Sequence, residues 1–164
     1  MIIINGETAS GKSTAALRFI EKSKEKSLYI LMERDARMAK ILHSEGFDYA
    51  VYGNGHIIDI KYRILERGGL MSNDLEYVVV DSLGMIKDPI SQMAKISELE
   101  KIETDFGLKI ILILNLLRTN NINSSEKEFR QYDSIRKSGR FEFYRPEEIY
   151  PSSERSFTAS STAF

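Results

Sequence analysis

The residues with the most chemical potential lie near the start of the chain, in "GETASGKST" at positions 6–14. Gly6, four further residues, then Gly11, Lys12 and Ser13 have the Walker A spacing of a phosphate-binding loop. Glycine at the two ends lets the backbone curl until successive N–H groups converge on phosphate oxygens. Glu7, Thr8, Ala9, Ser10 and Thr14 complete the nucleotide-binding stretch. Lys12 supplies a point charge for the β- and γ-phosphates, and Ser13 a hydroxyl for Mg²⁺ at the positive end of the helix that starts there. A chance match in a Gly/Ser/Lys loop would lack a buried strand before it and an amphipathic helix after it. Here "IIIN" precedes and "AALRFIEK" follows.

Three more polar residues end apolar runs. Asp81 closes "YVVVD", where a carboxylate can hold Mg²⁺, commonly through water. By itself it is an ordinary strand-end cap, and the phosphate loop in the same chain favours the metal role. Glu33 follows "LYILM", where it can polarise a water toward a γ-phosphate. The plainer alternative is a surface glutamate paired with Arg34 or Arg37. Asn115 ends "KIILILN", and its amide can hydrogen-bond a γ-phosphate or the attacking water, or simply serve a turn.

Chemistry shared among these positions needs a scaffold that brings several strand ends to one edge. Five apolar stretches have strand length: "IIIN" (2–5), "LYILM" (28–32), "YAVYG" (49–53), "EYVVVD" (76–81) and "LKIILILN" (108–115). Most are unbroken over three or more residues, as parallel strands covered on both faces are. Helical patterns lie between them, over Ser13 to Glu25, Ala36 to His43, His56 to Arg67 and Ile90 to Asp105. Alternation of the two predicts an α/β fold, a mainly parallel central sheet flanked by helices on both faces. Parallel strands would deliver the loop, Glu33, Asp81 and Asn115 to the carboxyl edge, where open α/β sheets bind ligands. Beyond Asn115 the chain turns polar and reads as a long loop leading to a last strand near "RFEFYR".

The bulk composition narrows the classes. A chain of 164 residues suits one compact domain, expected over 1–150, with the Ser/Thr-rich 151–164 as a flexible tail. A net charge of -1 excludes a protein that coats nucleic acid through bulk charge. With no cysteine there are no disulfides, thiolate metal sites or cysteine nucleophiles. No apolar run approaches the roughly 20 residues of a membrane span. The first apolar run has no basic residues before it and leads straight into the loop, so it reads as a strand rather than a signal peptide. A cytoplasmic protein with no membrane partner is expected.

The order of the motifs resembles the RecA-like ATPases, the fold of bacterial recombinases and hexameric replicative helicases. "GETASGKST" is followed by a strand closing on Glu33, then "VVVDS", then "IILILNLLR", and the resemblance spans about residues 1–120. "MERDARMAKILHSEGFD" is also similar to the family's segment after its catalytic glutamate. The resemblance implies a RecA-like P-loop NTPase that binds and hydrolyses ATP with Mg²⁺ in DNA recombination or replication. Glu33 would be its catalytic base, and Asn115 its γ-phosphate sensor beside Lys12. Leu116 departs from the pattern, standing where recombinases carry glutamine.

The polar stretch after Arg118 stands where recombinases carry a DNA-binding loop. From 115 to 145, seven basic residues meet four acidic ones, an excess of three positive charges. Arg118, Lys127 and Arg130 could meet phosphates, while Phe129 and Tyr132 could stack on bases at about 1–3 kcal/mol each. The family completes its site with a basic residue from a neighbouring subunit, for which Arg136, Lys137 and Arg140 are the candidates. Single-stranded DNA, further copies of the chain, and a replication or recombination protein are the implied partners. The small size is what a minimal core carried by bacteriophages or mobile elements would have.

Two other readings share the opening strand, loop and helix. A small-molecule or nucleotide kinase would use Arg34, Arg37 and His43 at an acceptor site, yet no Arg-rich lid stretch is evident. A helicase loader regulated by ATP would need no turnover, whereas Lys12, Ser13, Glu33 and Asp81 are all intact. A GTPase is disfavoured because no Asn-Lys-x-Asp motif occurs.

Overall fold

Along β5 (Lys109–Asn115), Ile110, Leu112 and Leu114 point to one side of the sheet and Ile111 and Ile113 to the other. All five are buried, which is why the run shows no polar alternation. The structure, a computed structural model, describes residues 1–6, 9–68, 74–83, 89–115 and 141–144. The other strands are β1 (Ile2–Gly6), β2 (Ser27–Leu31), β3 (Asp48–Val51), β4 (Tyr77–Asp81) and β6 (Phe141–Tyr144). Helices α1 (Lys12–Ile20), α2 (Ala36–Glu45), α3 (Ile57–Gly68) and α4 (Pro89–Phe106) lie between them.

The six strands are ordered β3-β2-β4-β5-β1-β6. The first five in that order run parallel, and β6 adds an antiparallel edge on β1. This is the α/β architecture that the alternating pattern predicts. Because β5 lies between β1 and β4, Gly6 pairs with Asn115, while Leu31 pairs with Asp81 on the far side of β4. The carboxyl ends of four strands therefore meet at one edge.

Each face of the sheet has its own core. On one face, Ile60 and Ile64 of α3 and Met93, Ile96 and Leu99 of α4 share a cluster with Leu28, Ile30, Val78 and Val80. On the other, Ala15, Ala16, Leu17 and Ile20 of α1 and Met38 and Leu42 of α2 share one with Ile4, Tyr29, Val79 and Ile111. Each fully buried Ile or Leu contributes roughly 1.5–3 kcal/mol. Among the described residues no helix is long and apolar enough to cross a membrane.

One element differs from expectation. The helix after the loop stops at Ile20, and "EKSKEK" (Glu21–Lys26) continues as a 3-10 turn with Ser23 out of helical geometry. No residue in that stretch is buried, so nothing anchors a longer α-helix to the sheet. The Ser27 hydroxyl donates to the Ser23 carbonyl at 2.6 Å and turns the chain into β2. The other helix and strand ends fall within one or two residues of their expected places.

Candidate active site

β1 carries the chain to Gly6 at the carboxyl edge, and α1 begins at Lys12. Between them, Ala9 (φ 62°) and Gly11 (φ 97°) adopt left-handed conformations on either side of Ser10. Left-handed residues beside right-handed ones make the backbone concave toward an anion. An alanine held at positive φ is uncommon and costs on the order of 1–2 kcal/mol, a strain of the kind found in ligand-binding turns. The Lys12 side chain folds back over the loop, its Nζ donating to the Gly6 carbonyl at 3.0 Å. Lys12 is only 4% exposed. Burial lowers its pKa from the usual lysine range, and the nearby Asp81 carboxylate opposes that shift.

Across the sheet edge, the Ser13 hydroxyl donates to Asp81 Oδ2 at 2.6 Å, closing a separation of 68 residues in sequence. The same oxygen accepts a second hydrogen bond, from the Tyr29 hydroxyl at 2.7 Å. Burial raises the Asp81 pKa; the two donors and Lys12 counter that rise, while Asp35 adds to it. The Met32 N–H donates to the Asp81 carbonyl at 2.7 Å, which ties the end of β2 to the end of β4.

Glu33 emerges two residues beyond β2, exposed at the same edge. Its backbone is held from the other side by a bridge to Asn54. The Tyr52 N–H donates to the Leu31 carbonyl at 2.8 Å and the Gly55 N–H to the Met32 carbonyl at 3.1 Å. Gly55 is needed for this approach, since a Cβ there would stand 2.8 Å from Met32 Cε and 2.9 Å from Tyr52 Cβ. Two residues beyond Glu33, Asp35 caps α2 by accepting from the Met38 N–H at 2.9 Å.

These groups surround one cavity of about 470 Å³. Ala9 to Thr14 line one side, and Glu33, Asp35, Arg37, Asp81 and Ser82 the others, together with the apolar Leu31, Met38, Ile41 and Ile113. Ser10 Oγ is buried there without a partner among the described residues, as a group meant for a ligand oxygen would be. Ser13 and Asp81 offer the hard oxygen donors that Mg²⁺ prefers, and Mg²⁺ commonly takes only one or two protein ligands beside substrate phosphates. Among the described residues no group of three or more His, Cys, Asp or Glu could hold a metal. The residues present thus fit a cation held jointly by Ser13, Asp81 and ligand oxygens.

Lys12 with Ser13, Glu33 and Asp81, from three separate stretches of the sequence, are thus brought together. Asn115 reaches the same edge at the end of β5, although its side chain lies outside what is described. Glu7, Thr8, Arg118, Lys127, Phe129, Arg130, Tyr132, Arg136, Lys137 and Arg140 all lie outside the described residues. Of the residues a kinase acceptor site would use, Arg37 lines the cavity and Arg34 and His43 do not. Sequence reasoning missed Tyr29 and Asp35. Tyr29 carries one signal, a phenol in the otherwise apolar run "LYILM", but the strand register that aims it at Asp81 has no trace in the sequence.

No protein-family model and no curated protein matches the chain. Among solved structures it is similar to the crystal structure of the RadB recombinase, with a TM-score of 0.45 and 17% sequence identity, over 83% of this chain and 69% of that one.

Proposed function

We propose that this chain is a Mg²⁺-dependent ATPase of the RecA-like kind, acting on single-stranded DNA in recombination or replication. The observation that carries the hydrolytic part is the contact of Ser13 Oγ with Asp81 Oδ2 at 2.6 Å, on a cavity that Lys12 and Glu33 also line. The loop supplies N–H donors and the Lys12 charge to the phosphates. Ser13 and Asp81 would hold the cation, which would supply positive charge against the phosphates. Glu33 orients a water and takes its proton as the oxygen attacks the γ-phosphorus. The β–γ bridging oxygen then leaves with the bonding electrons, giving ADP and phosphate. Glu33 suits this role because it is exposed to water yet fixed at its backbone by Asn54 and its neighbours.

The DNA part rests on the motif order and on the basic, aromatic-bearing stretch after Asn115. Self-association belongs to the same reading, with Arg136, Lys137 or Arg140 reaching a neighbouring site. Such a finger is worth ~10³–10⁵ in rate. Phosphate release from ATP, measured with and without single-stranded DNA across a range of protein concentrations, tests both. Turnover that DNA stimulates, and that rises more steeply than protein concentration, is expected. A rate that is negligible in both conditions contradicts the hydrolytic reading. A measurable rate indifferent to DNA and concentration contradicts only the DNA-acting assembly.

A further inference from the structure

Tyr29 is fully buried in β2, in the core cluster that holds Ile4, Val79 and Ile111. Phenylalanine would fill that space equally well, and burying a phenol costs free energy unless its hydroxyl finds a partner. The partner here is Asp81 Oδ2, at 2.7 Å. The reach is diagonal. Tyr29 pairs with Val79, two residues before Asp81 on the neighbouring strand, which is within range of an aromatic side chain.

We infer that Tyr29 is a positioning residue for the cation site, its hydroxyl holding the Asp81 carboxylate in the orientation that Ser13 and Mg²⁺ share. Ser13, the other donor to Oδ2, sits in the first turn of α1, directly behind the phosphate loop. Tyr29 sits in a strand hydrogen-bonded on both sides, to β3 and to β4. The sheet therefore fixes the carboxylate through Tyr29, and the loop meets a carboxylate already aimed. Residues that orient a metal ligand in this way change metal affinity by ~10–100-fold when lost. The inference rests on the reading of Ser13 and Asp81 as the cation ligands.

The test measures the affinity of a fluorescent ATP analogue with Mg²⁺ and again in EDTA, and takes the ratio of the two. In Tyr29→Phe the affinity in EDTA should match the wild type and the ratio should fall about 10-fold, the lower end of that range. On an Asp81→Asn background the same substitution should leave the ratio unchanged, because its target is gone. A Tyr29→Phe protein with the wild-type ratio overturns the inference and leaves the ATP reading standing. Equal losses with Mg²⁺ and in EDTA also overturn it, since Tyr29 would then support the whole loop rather than the cation. If the single variant does not melt cooperatively, the ratio is measured for it and for the wild type in a stabilising osmolyte, and a wild-type ratio there overturns the inference. Failure of the wild type to bind the analogue removes the ATP reading itself.

Discussion

Lys12 is nearly sequestered from water, yet its ammonium has a loop carbonyl, that of Gly6, as a hydrogen-bond partner. Burying a cation in this way is costly, and a ligand phosphate offers a far better partner than a carbonyl. Lys12→Ala should weaken ATP binding by roughly 10–100-fold, the worth of a hydrogen bond to a charged group. Fluorescence titration would read this directly, and wild-type affinity in the variant would contradict the placement of the phosphates at the loop. Asp81 and Glu33 differ in kind from Lys12 and from each other. Asp81 is held by two hydroxyls in a partly buried setting, whereas Glu33 is exposed, with its backbone pinned. The first arrangement suits a fixed ligand, and the second a group that must meet water.

At the level of elements, two glycines separate stability from activity. Gly46 ends α2 at φ 73°, with the Phe47 N–H donating to the Leu42 carbonyl at 3.0 Å. Among the described residues, a Cβ added at Gly46 would meet only Lys24 Nζ, at 3.8 Å. Gly46→Ala should therefore cost only the left-handed strain, about 1 kcal/mol in chemical denaturation, with phosphate release unchanged. Gly55→Ala should cost roughly 1–3 kcal/mol through overpacking against Met32 and Tyr52. It should also lower turnover without weakening ATP binding, since the 52–55 segment backs Glu33. Equal effects of the two substitutions on turnover would contradict that link.

The same elements show what the sequence could and could not tell. Strands such as "KIILILN" were legible because burial on both faces leaves an unbroken apolar run, and the start of α1 because an amphipathic pattern follows the first strand directly. The early stop of α1 was not, because charged residues such as those of "EKSKEK" suit a helix and a solvated turn alike. Tyr29 and Asp35 were not, because their roles come from strand register and from the placement of α2, which are set by tertiary packing rather than by any local pattern.

At the scale of the whole molecule, the sheet edge joins the start of α1 to the ends of β2, β4 and β5, so a ligand that fills it links segments far apart in sequence. At 100 times its Kd, such a ligand stabilises the fold by ~2.7 kcal/mol. In a chain of this size that is roughly 5–10 °C in Tm. ATP with Mg²⁺ should give this shift in the wild type, and Lys12→Ala should abolish most of it. The same joined edge places Glu33 on the cavity without making it part of the phosphate cradle. The most direct measurement is therefore phosphate release and ATP binding in Glu33→Gln beside the wild type. Binding should be retained while turnover falls by roughly 10²–10⁴-fold, the usual worth of a general base. Turnover at the wild-type rate in Glu33→Gln would contradict the assignment of hydrolysis to this edge of the sheet.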